Sequence, residues 1–163
     1  MNRKTYTILG AAALAVAALF AFEYAGTAYA ASKTVTTSGG VELHDVKAQT
    51  LQFMRWYSDI ELTPAQERIR VEALSAIPAP CCSDNSAATC CCPCNMAKSV
   101  WGLSKYLITE KGAGVEEVRQ AAKDWFQFIN PEGFSGDTCY IGGCGRAFHE
   151  NGCGGMRQDR PVF

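Results

Sequence analysis

The fifteen residues from Pro80 to Cys94, PCCSDNSAATCCCPC, hold six cysteines, three of them consecutive. No other stretch of the chain restricts its fold as much. A disulfide demands a defined distance and orientation between its two Cβ atoms, so adjacent cysteines rarely bond to each other. Cys90, Cys91 and Cys92 would each need a separate partner. The fold must therefore bring other cysteines to this stretch, or an ion that several sulfurs share. Cys139, Cys144 and Cys153 complete a total of nine. Nine is odd, so at least one thiol is unpaired, is bridged to another chain or serves a metal.

The N-terminus bears on which of these applies. Arg3 and Lys4 form a basic start, an apolar run extends from Ile8 to Phe22, and Ala28-Tyr29-Ala30 is a small-x-small site. That is the build of a secretory signal peptide over residues 1–30, cleaved after Ala30. The alternative is an uncleaved membrane anchor, but the run is shorter than the ~20 residues a span needs. No cysteine follows it, which argues against a lipoprotein anchor. The expected location is periplasmic or extracellular, where disulfides persist. Loss of Arg3, Lys4 and Glu23 takes the formal charge from −1 to −2. Nucleic acid as a partner would ask for a basic face, which this balance does not offer. Contact with a membrane is expected only through the N-terminal segment, if it is uncleaved. The partner the cysteines suggest is another exported thiol or metal-handling protein.

Hydrophobic spacing predicts a mostly α fold, a small three- to four-helix domain with a cysteine-rich loop and an irregular Gly/Cys-rich C-terminal segment. Residues 31–43, opening ASKTVTTSGG, read as a flexible leader. A helical thiol-site domain follows over 44–131. Leu51, Met54, Tyr57 and Ile60 recur at spacings of three, giving a helix near 45–58. Thr63 with Gln66 makes a capping box and Pro64 suits the first turn, giving a second near 63–77. Pro78 and Pro80 stop it and deliver the chain, extended, into Cys81. Met96, Val100, Leu103 and Leu107 mark a third near 95–111, with Gly112 as its C-terminal cap. Val115, Val118, Ala122, Trp125 and Ile129 mark a fourth near 115–129. Their short linker predicts that the last two pack as an antiparallel hairpin, with Trp101, Trp125 and Phe126 in its core. Residues 132–163 cannot build a core alone and are expected to pack on the cysteine loop.

Three chemistries are open to the cysteines. In the first, clustered thiolates bind a soft ion, copper(I) or zinc. The ligand set is Cys81, Cys82, Cys90, Cys91, Cys92, Cys94, Cys139, Cys144 and Cys153, with His149. Cys91 and Cys94, spaced Cys-x-x-Cys, would converge on one ion, and Cys81 or Cys82 would complete it. Met96 lies on the apolar face of its helix and reads as core rather than ligand, Met156 as tail, and His44 as structural or surface. In the second, Cys91 and Cys94 are an attacking and resolving pair, Cys94 being activated by the helix that follows it. The other thiols count against a simple two-cysteine cycle. In the third, the cysteines form a structural disulfide framework with one thiol left over. Covalent haem would need Cys-x-x-Cys-His, which is missing. Two histidines without paired carboxylates argue against a hydrolase.

Residues Ser75 to Cys82, SAIPAPCC, followed by a cysteine cluster, a helix and KGAGVEEVRQAAKDWFQF, resemble an exported bacterial cysteine-rich family. That family is named for its Pro-Cys-Tyr-Cys-Gly-Cys motif. There too a helix ending in Ile-Pro runs into the cysteines, and a later helix carries a stretch like Glu117-Val118-Arg119-Gln120. The same region is similar to the H-type thiol-reductase subunit of cytochrome c maturation, through Cys91 and Cys94, Lys111-Gly112, Glu117-Val118 and Trp125 to Phe128. The likeness spans residues 63–131, and the Cys139–Cys153 tail belongs to neither pattern. It implies an extracytoplasmic, mostly helical domain presenting a thiol site. Metal binding and thiol exchange both remain open.

Overall fold

Asp45 and Thr63 start the first two helices by supplying side-chain oxygens to otherwise unpaired amides. In this computed structural model, which describes residues 34–163, helix α1 spans Val46–Asp59 and α2 spans Pro64–Ser75. The expected signal peptide lies outside the described residues. Asp45 accepts from the Ala48 amide at 2.7 Å, and Thr63 and Gln66 form the reciprocal capping box. Helix α3 spans Asn95–Glu110 and α4 spans Val115–Ile129. Between them Gly112 takes φ +66°, the left-handed geometry that terminates α3. The protein is mostly α, and no helix of the described residues is long and apolar enough to cross a membrane.

The core forms where the four apolar stripes meet. Trp125, Phe53, Leu74, Val100, Leu103, Leu107 and Val118 are all fully buried. Phe53 meets Trp125 edge-on at 4.8 Å, and Trp56 stacks on Tyr106 at 3.9 Å. Trp101 is half-buried and donates its indole N–H to the Ala87 carbonyl at 2.8 Å. Helices α3 and α4 do pack together, but the most extensive helix contact joins α3 to α1. Gly102 explains the intimacy of that contact: a Cβ there would sit 1.8 Å from the Phe53 carbonyl oxygen.

The Trp125 indole donates to Ser99 Oγ at 2.9 Å, and Ser99 donates onward to the Met96 carbonyl at 2.8 Å. Both side chains are fully buried. Ser99→Ala strands the indole N–H, and unfolding in denaturant is expected to show a loss of about 1–3 kcal/mol.

Two short hairpins depart from the sequence expectation. Strands β1 (Val35–Thr36) and β2 (Glu42–Leu43) pair antiparallel, Val35 opposite Leu43. Residues 34–43 are therefore not a flexible leader. Leu43 is fully buried, Thr37 nearly so, and Gly39 lies against Leu107 of α3. The Gly39-Gly40 pair makes the turn, Gly40 at φ +74°, rather than ending a linker. Gln49 ties this hairpin to α1, donating to the Glu42 carbonyl at 2.6 Å and accepting from the His44 amide at 2.8 Å. The second hairpin, β3 (Pro78–Ala79) with β4 (Cys82–Ser86), occupies what reads in the sequence as extended loop.

The C-terminal segment carries only two 3-10 turns, Gly143–Gly145 and Phe148–Glu150. Its backbone hydrogen-bonds into the cysteine loop. Ser83 N–H donates to the Gly136 carbonyl at 2.8 Å, and Cys139 N–H to the Cys81 carbonyl at 2.9 Å. The first two amides of α3 donate to the tail, Asn95 to the Gly155 carbonyl at 2.8 Å and Met96 to the Cys153 carbonyl at 3.1 Å. The buried Asn95 amide group adds bonds to the Gly154 and Arg157 carbonyls. Phe148, 2 % exposed, and the fully buried Cys153 are the tail's contributions to the core.

Candidate thiolate metal centre

Local backbone geometry decides where each sulfur goes. Side chains of neighbouring strand residues point to opposite sides. Cys81, just before β4, and Cys82, its first residue, are both buried yet meet different partners. Cys81 interacts with the thiols of Cys90 and Cys94, whereas Cys82 interacts with Tyr140, Asn85 and Cys91. Farther on, Cys94 N–H donates to the Cys92 carbonyl at 2.8 Å, the i→i+2 bond of a γ-turn centred on Pro93. That turn separates the exposed Cys91 and half-buried Cys92 from Cys94, which is fully buried as the N-cap of α3.

The result is two groups of thiols. In the outer one, the sulfurs of Cys91, Cys92 and Cys139 all lie within 4.8 Å of one another, with Cys91 and Cys92 at 4.0 Å. Four thiolates held tetrahedrally at about 2.3 Å from an ion are about 3.8 Å apart, so this trio needs little adjustment to share one ion. Cys82 reaches its vicinity through Tyr140, the residue after Cys139. Its sulfur accepts from Asn85 Nδ2 at 3.4 Å and lies 3.5 Å from the Tyr140 hydroxyl. Tyr140 and then Asn85 hold the Cys82 thiol below its ordinary pKa. The same tyrosine donates to the Asp84 carboxylate, which raises the phenol's own pKa. Burial pushes the Cys139 thiol up to about 11 and raises that of Cys92 further.

The inner group is Cys81, Cys94 and Cys153, each no more than 1 % exposed. Half-buried Cys90 and Cys144 flank it, through interactions with Cys81 and Cys153 respectively. The Cys94 thiol is held below its ordinary pKa, first by the Cys153 and Cys81 thiols, then by the Ala97 and Met96 amides, against the opposing effect of burial. Cys81 is raised, first by Cys90 and then by Cys94, and Cys153 is raised by Cys94 and by burial.

Cys91 and Cys94 thus fall into different groups, although their Cys-x-x-Cys spacing predicts one shared ion. The proline-centred turn and the helix start send their side chains apart. His149 stands exposed on the Phe148–Glu150 turn, outside the trio. Met96 is buried core. Sequence reasoning did not find Asp84, Asn85 and Tyr140, which carry no metal-site motif; only the fold brings Tyr140 to Cys82. All nine cysteines are unbridged. The sulfurs can hold a metal ion at the outer trio. Comparison with family models, curated proteins and solved structures finds no match for this chain.

Proposed function

We propose that this is an exported protein that binds a soft metal ion, copper(I) or zinc, through Cys91, Cys92 and Cys139, with Cys82 as the fourth ligand. The observation that carries the reading is the mutual approach of three sulfurs within 4.8 Å at a solvent-accessible edge. Thiolate sulfur selects copper(I) and zinc over magnesium or calcium. Cys91, the exposed member, is where an ion can pass by ligand exchange to another exported thiol or metal-handling protein. The basic start, apolar run and small-residue site of residues 1–30 support a periplasmic or extracellular location.

Reduced, metal-free protein mixed with zinc(II) or copper(I) and then desalted is expected to retain at least one ion per chain. No retained ion, together with four intact disulfides by mass in protein from an oxidising compartment, would overturn the reading. Because each ligand loses a proton on binding, affinity is expected to weaken as pH falls.

A second reading, thiol–disulfide exchange of the cytochrome c maturation type, draws support from the stabilised Cys94 thiolate. The complete burial of Cys94 and its separation from Cys91 weigh against it. Under that reading Cys91→Ser and Cys94→Ser each abolish reductase activity while metal content is unchanged.

A further inference from the structure

The exposed Cys91 has a thiol neighbour that its Cys-x-x-Cys spacing does not announce. Its sulfur lies within 4.8 Å of that of Cys139, in the C-terminal segment, and within the same distance of that of Cys92. Cys92 is the adjacent residue, and adjacent cysteines rarely meet the geometry of a disulfide. Cys94 is fully buried as the N-cap of α3 and lies outside the trio. Cys139 is thus the thiol best placed to pair with Cys91. It is held on a fixed turn. Its N–H donates to the Cys81 carbonyl at 2.9 Å, and the carbonyl of Thr138 before it accepts from the Gly143 N–H at 2.8 Å. Thr138 is fully buried, and its hydroxyl donates to the Asn151 carbonyl at 2.6 Å. Cys91 lies outside the helices and strands, so its sulfur is free to close the remaining distance to the about 2 Å of an S–S bond.

We propose that Cys91 and Cys139 form a redox pair that reduces exposed disulfides of other exported proteins, Cys91 attacking and Cys139 resolving. The pair rests on the same trio as the metal reading above, and an ion bound there excludes exchange. Cys94 has no part in it. The Cys91 thiolate attacks one sulfur of the substrate disulfide. That S–S bond breaks, a mixed disulfide forms, and the other substrate sulfur leaves as a thiolate. The Cys139 thiolate then attacks the Cys91 sulfur and expels the second substrate thiolate. Two electrons pass from the pair to the substrate, and the protons given up by Cys91 and Cys139 end on the substrate thiols. The product is a Cys91–Cys139 bridge that ties the cysteine loop to the tail, and neither sulfur then serves an ion as a thiolate. Exposure sets the order of the steps: Cys91 is exposed and Cys139 half-buried, so a protein disulfide meets Cys91 first.

The test gives glutathione disulfide to the reduced, metal-free full chain and maps the product by mass spectrometry of peptides prepared without reductant. The wild type is expected to yield a Cys91–Cys139 bridge. Cys139→Ser is expected to stop at a glutathione adduct on Cys91. Cys91→Ser is expected to react at least about 10-fold more slowly, because access of the attacking thiol governs the rate. A bridge from Cys91 to Cys94 or to any other cysteine overturns the assignment, as does a Cys139→Ser variant that resolves its adduct at the wild-type rate. The same preparation is assayed for retained zinc(II). Zinc retained without a Cys91–Cys139 bridge overturns the exchange and leaves the metal reading standing. A bridge in protein that retains no zinc keeps the exchange and removes the metal reading.

Discussion

Cys139→Ser is expected to weaken zinc or copper(I) binding at the outer site by at least about 100-fold. Partners that merely orient a ligand are commonly worth about 10–100-fold in metal affinity, and Cys139 is itself one of the three converging sulfurs. A serine hydroxyl is a hard, largely protonated oxygen at neutral pH and does not replace a thiolate for a soft ion. Competition against a chromophoric chelator reads the change directly. Cys144→Ser is the control, because Cys144 lies outside the trio, and it is expected to leave outer-site affinity within a few-fold of wild type. Tyr140→Phe, which removes the hydroxyl 3.5 Å from Cys82, is expected to fall between them, at about 10-fold. Equal affinities for Cys139→Ser and wild type would show that the trio is not the ligand set.

Gly102→Ala is expected to be the most destabilising single substitution among the helices. In most exposed helices this change would help, because alanine is the better helix former by about 1 kcal/mol. Here the new methyl would lie 1.8 Å from the Phe53 carbonyl oxygen and 2.8 Å from the Tyr57 amide nitrogen. Both are backbone atoms of α1, so no side chain can rotate away and the two helices must separate. Overpacking of this kind costs about 1–3 kcal/mol, occasionally more, and the backbone clash places Gly102 at the upper end. A loss near 3 kcal/mol lowers the melting temperature by about 10 °C for a domain of this size. Because Cys94 is the N-cap of α3, the variant should also loosen the inner thiols. Faster alkylation of Cys94 and Cys153 would report it. An unchanged melting temperature would mean that α1 and α3 do not pack as described.

Helices and their ends were legible in the sequence because they depend on neighbours a few residues away. Thr63, Pro64 and Gln66 start α2 wherever it is placed, and Gly112 ends α3 because it can adopt positive φ. The β1–β2 hairpin was missed for a related reason. Its four strand residues are too few to show alternation, and its Gly-Gly turn resembles a linker until Leu43 is seen buried and Gly39 is seen against Leu107. Trp101 reads as core in the sequence, but its indole reaches the Ala87 carbonyl in the middle of the cysteine loop, a pairing that no periodicity reveals.

For the cysteines, the sequence by itself determined their number, their crowding between two helices and the certainty that they could not all pair with neighbours. Only the tertiary structure decided which sulfurs meet. Cys91 and Cys94 are three residues apart, yet a γ-turn at Pro93 and the first turn of α3 send them into separate groups. Cys91 and Cys139 are far apart in sequence, yet the Cys139–Cys81 backbone bond brings them within 4.8 Å. A ligand set is a coincidence of side-chain directions in space. Those directions follow from the turns, strands and tail contacts that fold the chain back on itself, which the spacing of residues along it does not encode.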